Sequence, residues 1–368
     1  MPTSATSNHP SRPEDLIGRL NSAHTPYEAK LKALRDLKNQ IIGNRTKKLA
    51  FLKLGAVPSV VSILSSAAAA QGGGGDNREF YESVLIQSAA AIGSFACGLD
   101  AGVKAVLDAG AFPLLLSLIS HLNEKIAALG AISNVVVDFM AHKSVLMQCG
   151  GVKQLVQLSK SMESAIRVNA VWALRNLTFL VNYRCKEEIL LELTSATLIS
   201  LINDPEPSVQ AQALALVRNL VDGTLNSSNY VFGEDGAVLH AIARQLRSTS
   251  KVEVQIQGMY ALSNVASGNE LHKEAVMNQL LPQAGNDAEK TLVKFLQSTD
   301  SQLRTATLWA LINLTFPGSP GTCRRVTELR NAGIITQLKN MVNDHCLDVK
   351  LRARMALGQL MIFGDSSS

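Results

Sequence analysis

Aromatic residues make up only 5% of this 368-residue chain and charged residues only 18%, against 46% apolar residues dominated by Ala, Leu and Val. So few rings and so many small aliphatics suit closely apposed helices better than a β-sandwich. Sparse charge fits helices that neighbours cover on two faces. Cysteine is also thin: Cys97, Cys149, Cys185, Cys323 and Cys346 are odd in number, widely spaced and never in a CxxC. That pattern excludes a disulfide framework or a zinc ribbon and reads as reduced thiols, several of them core-packed, of a cytoplasmic or nuclear protein. No long apolar run is present. The uncharged stretch Ser83 to Leu99 contains Gln87 and stops at Asp100, short of a membrane span. The start, MPTSATSNHPSRPED, lacks an apolar signal region, and residues 1–12 and 365–368 are expected to be disordered.

Catalytic signatures are missing too. There is no GxxxxGK[ST], GxSxG or HExxH, and the glycines at Gly72–Gly75 are not followed by Lys-Ser/Thr. Histidines are scattered, and the adjacent His345 and Cys346 have no second pair at ligand spacing. Neither an enzyme, a cofactor nor a metal site is expected. The net charge of +5 is modest, and without a concentrated basic footprint no nucleic-acid partner is expected. Local basic concentrations do occur, at Lys30–Lys53 and among Arg324, Arg325, Arg330, Lys350, Arg352 and Arg354. Terminal repeats need solvated outer faces, so these read first as end-caps.

What is present is a period. Asn134, Asn176, Asn219, Asn264 and Asn313 recur in the settings ALGAISN, VWALRNL, LALVRNL, MYALSNV and LWALINL, 42, 43, 45 and 49 residues apart. Ser94 and Gln359 extend the series, and Asp36 in LRDL begins it. Units of this length, each carrying two or three helical patterns, indicate an all-α fold: a right-handed α-solenoid of about seven to eight armadillo repeats. It is expected to run continuously over residues 13–364, with a low-complexity loop at 66–79. Gly-containing junctions open the units at LGAVP, AGAFP, CGGV, EDGAV and NAGII. Glycine permits the sharp turn between helices, and proline suits the first turn of the next.

Residues four apart share a helix face. Trp172 with Asn176, Tyr260 with Asn264, and Trp309 with Asn313 therefore point together, and Asn169, Gln212 and Gln257 lie on the same stripe, seven before a rung. An amide carries donors and an acceptor for the backbone of an extended peptide, and rings between rungs form slots for side chains. Asn134, Asn169, Trp172, Asn176, Gln212, Asn219, Gln257, Tyr260, Asn264, Trp309 and Asn313 are thus the candidate groove. The alternative for each asparagine is that it merely satisfies loop backbone groups or the neighbouring repeat. Arg175 and Arg218, one before a rung, are weaker candidates for the rim.

Particular segments carry a resemblance. LKALRDLKNQIIGNRTKKLAFLKLGAVPSVVSIL resembles the opening repeats of the armadillo-repeat subunits of GID/CTLH ubiquitin ligases. IRVNAVWALRNLTF, ALALVRNLVDG, ALSNVASGNELHKEAVM and LWALINLTFPGSPGTCRRVTELRNAGII resemble their C-terminal repeats in the same order. The resemblance implies a short form of a non-catalytic adaptor that joins ligase scaffold subunits to a substrate receptor, with an extended segment in the groove. The groove positions it implies are Trp172, Asn176, Asn219, Asn264, Trp309 and Asn313. Two rivals stay open: an importin-α-like peptide transport adaptor, which uses a similar Trp–Asn ladder, and a catenin-like scaffold.

Overall fold

A computed structural model of the chain describes residues 11–71, 78–118, 130–132, 134, 140–148, 150–222, 236–281 and 287–363. The N-terminal residues 1–10, the tail 364–368, Cys149 and residues 72–77 of the expected low-complexity loop lie outside this set. The described residues form an all-α armadillo solenoid, with no strand among them. They divide into two compact units, Met1–Leu177 and Thr178–Ser368.

In the first unit, Arg78–Ala96 packs on Tyr27–Ile41 and Ala56–Gln71, and Gly151–Leu158 packs on Ser164–Leu177. In the second, the ladder-bearing helices Pro207–Val221, Val252–Ala266, Ser301–Leu314 and Leu347–Ile362 pack each against the next. Short helices such as Ala237–Ser248 lie beside them. Local chemistry sets the starts. Asn44, Asn182 and Asn269 each accept a hydrogen bond from the amide three residues on, satisfying an orphan donor of the helix that follows. Pro13 and Pro207 stand in the first helical turn, where no amide is needed. Between helices, the junction glycines Gly55, Gly110, Gly150, Gly236 and Gly333 all have positive φ, from 65° to 77°, a conformation that costs a residue with a Cβ.

Three expectations are corrected. Residues Ser66–Gln71 belong to the Ala56–Gln71 helix rather than to a loop, because a run of alanines is the strongest intrinsic helix former. None of the four described cysteines is buried: Cys97 and Cys323 are exposed, and Cys185 and Cys346 partly so, because each falls at a helix end or on an outer face. The basic concentrations are not wholly end-cap surface. Lys48 is buried, and Arg325 is fully so.

These buried cations repeat a device. Lys48 Nζ reaches the carbonyl of Cys97 at 2.6 Å, Lys186 that of Asp222 at 2.6 Å, and Lys273 those of Ala266 and Gly268 at 2.9 and 2.7 Å. Arg325 Nε donates to Leu314 at 2.8 Å. Each ties off a carbonyl at the end of a ladder helix, where the last oxygens lack intrahelical donors and the helix dipole favours a cation. Burial pushes the Lys186 and Lys273 ammonium groups down from their ordinary range. Arg325 is further held by the carboxylates of Glu270 and Glu274. Glu270 sits below the usual carboxylate range because Arg325 donates to its ionised form.

Candidate peptide-binding face of the ladder helices

The rung asparagines stitch neighbouring helices together. Asn134 Nδ2 donates to the carbonyl of Gly93 at 3.1 Å, Asn264 Nδ2 to Arg218 at 3.0 Å, and Asn313 Nδ2 to Ser263 at 2.9 Å and its hydroxyl at 3.2 Å. In every case the acceptor stands one residue before the preceding rung: Ser94, Asn219 and Asn264. Part of the alternative reading therefore holds, since the Nδ2 of each of these amides serves the neighbouring repeat, that of Asn313 through two contacts. An amide has a second N–H and a carbonyl oxygen, and these three asparagines are partly exposed. Asn176 and Asn219 are buried. At the ends of the series, Ser94 bonds the Ala90 carbonyl of its own helix, and Gln359 accepts from Thr315 at 2.9 Å.

Trp172, Tyr260 and Trp309 are each partly exposed, as the spacing requires. In the second unit the chain's own arginines lie over the rings. The Arg218 guanidinium sits 5.6 Å from the Tyr260 ring centre, and that of Arg352 sits 4.7 Å from the Trp309 ring centre. Arg218 Nη1 also donates to Gln257 Oε1 at 3.1 Å, and Gln257 in turn donates to Glu253 at 2.8 Å. Arg352 pairs with Asp348 at 2.9 Å. Burial raises the Tyr260 hydroxyl pKa, with the Arg218 and Arg352 charges pulling the other way. The structure thus gathers Gln257, Tyr260 and Asn264 around Arg218, and sets Trp309 beneath Arg352. Gln212 is partly exposed on the preceding helix.

In the first unit, Asn169, Trp172 and Asn176 share the Ser164–Leu177 helix. Asn169 spends its amide on the Ala165 carbonyl of that helix at 2.8 Å. Arg352 was overlooked as a member of the face, although it stands seven before Gln359, the slot that Asn169, Gln212 and Gln257 occupy before their own rungs.

A second series escaped the sequence reading altogether. Arg167, Gln210, Gln255 and Arg304 each donate to the carbonyl six residues earlier: Ser161 at 2.9 Å, Asp204 at 2.6 Å, Thr249 at 2.9 Å and Ser298 at 2.7 Å. Their intervals of 43, 45 and 49 residues match those of the ladder. They brace the turn that delivers each ladder helix, and so fix the direction of the candidate face. The signal was the shared period, concealed because Arg and Gln are different residue types with the same donor function.

Residues 141–179 match the Armadillo/beta-catenin-like repeat family. Armadillo repeat-containing protein 8 of Danio rerio is 25% identical over 249 residues, 67% of this chain and 36% of that protein. GID complex subunit 5 of Saccharomyces cerevisiae is 26% identical over 181 residues, 42% of this chain and 20% of that protein. Importin subunit alpha-1b of Oryza sativa is 24% identical over 238 residues, 63% of this chain and 43% of that protein. The chain therefore spans about a third of the length of the first of these relatives. Among solved structures, an engineered protein matches 95% of this chain and 78% of its own at a TM-score of 0.77 and 24% identity. A designed armadillo repeat protein in complex with the peptide (KR)4 matches 68% of this chain and 99% of its own at 0.59 and 20%. The chain folds as an armadillo-repeat solenoid and is similar in sequence to Armadillo repeat-containing protein 8 and to GID complex subunit 5.

Proposed function

We propose that this protein is a non-catalytic adaptor of a GID/CTLH-type ubiquitin ligase, acting in the cytoplasm and nucleus. In this role it binds ligase scaffold subunits and holds a substrate receptor through an extended segment laid on the ladder face. The observation that carries the reading is the similarity to Armadillo repeat-containing protein 8 across two thirds of the chain, joined by that to GID complex subunit 5. The chemistry of the face supports the mode of binding. Each unit carries partly exposed amides and rings on its ladder helices, Asn134 and Trp172 in the first and Tyr260, Asn264, Trp309 and Asn313 in the second, the combination that satisfies peptide groups and packs side chains.

The test is quantitative mass spectrometry of what co-purifies with the tagged protein and with its Trp172→Ala/Trp309→Ala variant, which removes one ring from each unit. The expected result is that ligase scaffold subunits accompany both forms and a substrate receptor accompanies only the unaltered one, with helical circular dichroism unchanged. Retention of every partner by the double variant sinks the groove. Absence of ligase subunits from both forms sinks the assignment. A second reading, an importin-α-like adaptor for basic peptides, draws on the match to Importin subunit alpha-1b. Its cost is that the Tyr260 and Trp309 rings already carry arginine heads.

A further inference from the structure

Two ring slots on the second unit's ladder face are filled from within. Arg218 enters from the Pro207–Val221 helix and lies over Tyr260. Arg352 enters from the Leu347–Ile362 helix and lies over Trp309. Tyr260 and Trp309 are on adjacent packed helices, so the two arginines flank them from the outer sides. A ring face attracts one cation, and a second brought to the same face meets both an occupied quadrupole and a like charge.

The carboxylates nearby are already engaged. Asp348 pairs with Arg352 Nη1, and Glu253 accepts from Gln257. Asp300 caps the Ser301–Leu314 helix by accepting from the amides of Gln302 and Leu303. Each guanidinium keeps donors to spare. Arg218 spends Nη1 on Gln257 and Arg352 spends Nη1 on Asp348, and the Nη2 of each has no protein acceptor among the described residues.

From this we infer that the second unit's ladder face selects an extended acidic peptide and rejects a basic one. Arg218 and Arg352 act as specificity-determining residues that shut the ring slots to lysine and arginine and offer their free Nη2 donors to ligand carboxylates. Adjacent helices lie about 10 Å apart and an extended chain advances about 3.3 Å per residue, so the fitting ligand carries two carboxylates at least about three residues apart. The inference rests on the groove reading above but fails separately from it.

Fluorescence anisotropy on the full chain decides it, with two labelled peptides: (KR)4 and a peptide of the same length with Glu at every third position among serines. The unaltered protein is expected to bind the Glu peptide and not (KR)4. The Arg218→Gln/Arg352→Gln variant is expected to lose about tenfold or more in affinity for the Glu peptide, through two charge-assisted contacts, and to gain measurable (KR)4 binding. The single variants Arg218→Gln and Arg352→Gln, each with a partial shift in the same direction, cover the case in which the double variant loses helical signal. The inference is overturned if the unaltered protein prefers (KR)4, or if the variants keep full affinity for the Glu peptide, as attraction to the basic Lys30–Lys53 region alone would produce. Binding of neither peptide by any form also overturns it, while the groove reading stands or falls on the co-purification result.

Discussion

Asn313 Nδ2 donates to the carbonyl of Ser263, 2.9 Å away on the preceding ladder helix and fifty residues earlier in the chain. The acceptor is one residue short of the previous rung, Asn264, and Asn264 repeats the relationship toward Arg218. A feature that reads in the sequence as ligand-directed is therefore also a seam between repeats. Asn313→Ala is expected to lower stability by about 1 kcal/mol, the net worth of one intramolecular hydrogen bond. Asn313→Asp should cost more, about 1–3 kcal/mol, because it replaces the donor with an oxygen facing the Ser263 carbonyl. Urea unfolding monitored by circular dichroism ranks the two. An equal or inverted ranking removes the seam.

Gly93 sits where another segment of the first unit, at Ala131, comes close. A Cβ there would lie 2.9 Å from the Ala131 Cα, which is backbone and cannot rotate away. Gly93→Ala is expected to destabilise by about 1–3 kcal/mol through overpacking, and to loosen the Asn134–Gly93 bond that this approach permits. Hydrogen exchange over residues 84–96 should accelerate in the variant. Unchanged exchange together with an unchanged unfolding midpoint contradicts the close approach.

Arg325 is wholly buried between Glu270, Glu274 and the Leu314 carbonyl. Arg325→Met takes the cation from Glu270 and the donor from a helix-end carbonyl, while Glu274 keeps its pairing with Arg324, for an expected loss of about 1–3 kcal/mol. The pH dependence follows from the same contacts. The folded state holds Glu270 below its ordinary value through Arg325. It holds Asp344 below through the Cys346 amide and Arg304, which together outweigh burial. For a depressed carboxyl the unfolded chain binds protons first, so the stabilisation is complete above the ordinary carboxylate pKa and is lost as pH falls through the folded value. Acid titration of the unfolding midpoint should show this loss in the unaltered protein and a shallower one in Arg325→Met. Parallel curves exclude the coupling.

Arg304 combines two roles, bracing its turn through the carbonyls of Ser298 and Thr299 and pairing with Asp344 at 2.9 Å. If turn bracing dominates, Arg304→Gln, which copies Gln255 in the next repeat back, should cost about 1 kcal/mol, and Arg304→Leu about 2–3 kcal/mol. Equal losses in denaturant unfolding would assign the residue to its ion pair instead.

Much of the architecture was legible in the residues. The Asn ladder marked the repeat length, the junction glycines marked the turns, and the four-residue spacing of Trp309 and Asn313 put both on one partly exposed face. Other parts were not. The alanines after Ser66 read as low complexity, yet low complexity does not oppose a helix when the repeated residue is the best helix former. Arg324 and Arg325 look alike in a list of basic residues, but their helix turns the first outward, 47% exposed, and the second inward, fully buried.

What the sequence determined by itself is what depends on neighbours a few positions away: helical periodicity, capping asparagines, left-handed glycines and the repeat length, all set by local backbone preferences. The tertiary structure alone decided which carbonyl each amide reaches and which cation is buried. It also decided that Arg218 and Arg352 come to rest on Tyr260 and Trp309. Those partners are roughly forty residues apart in sequence, and only the packing of one repeat on the next brings them within hydrogen-bonding or ring-contact distance.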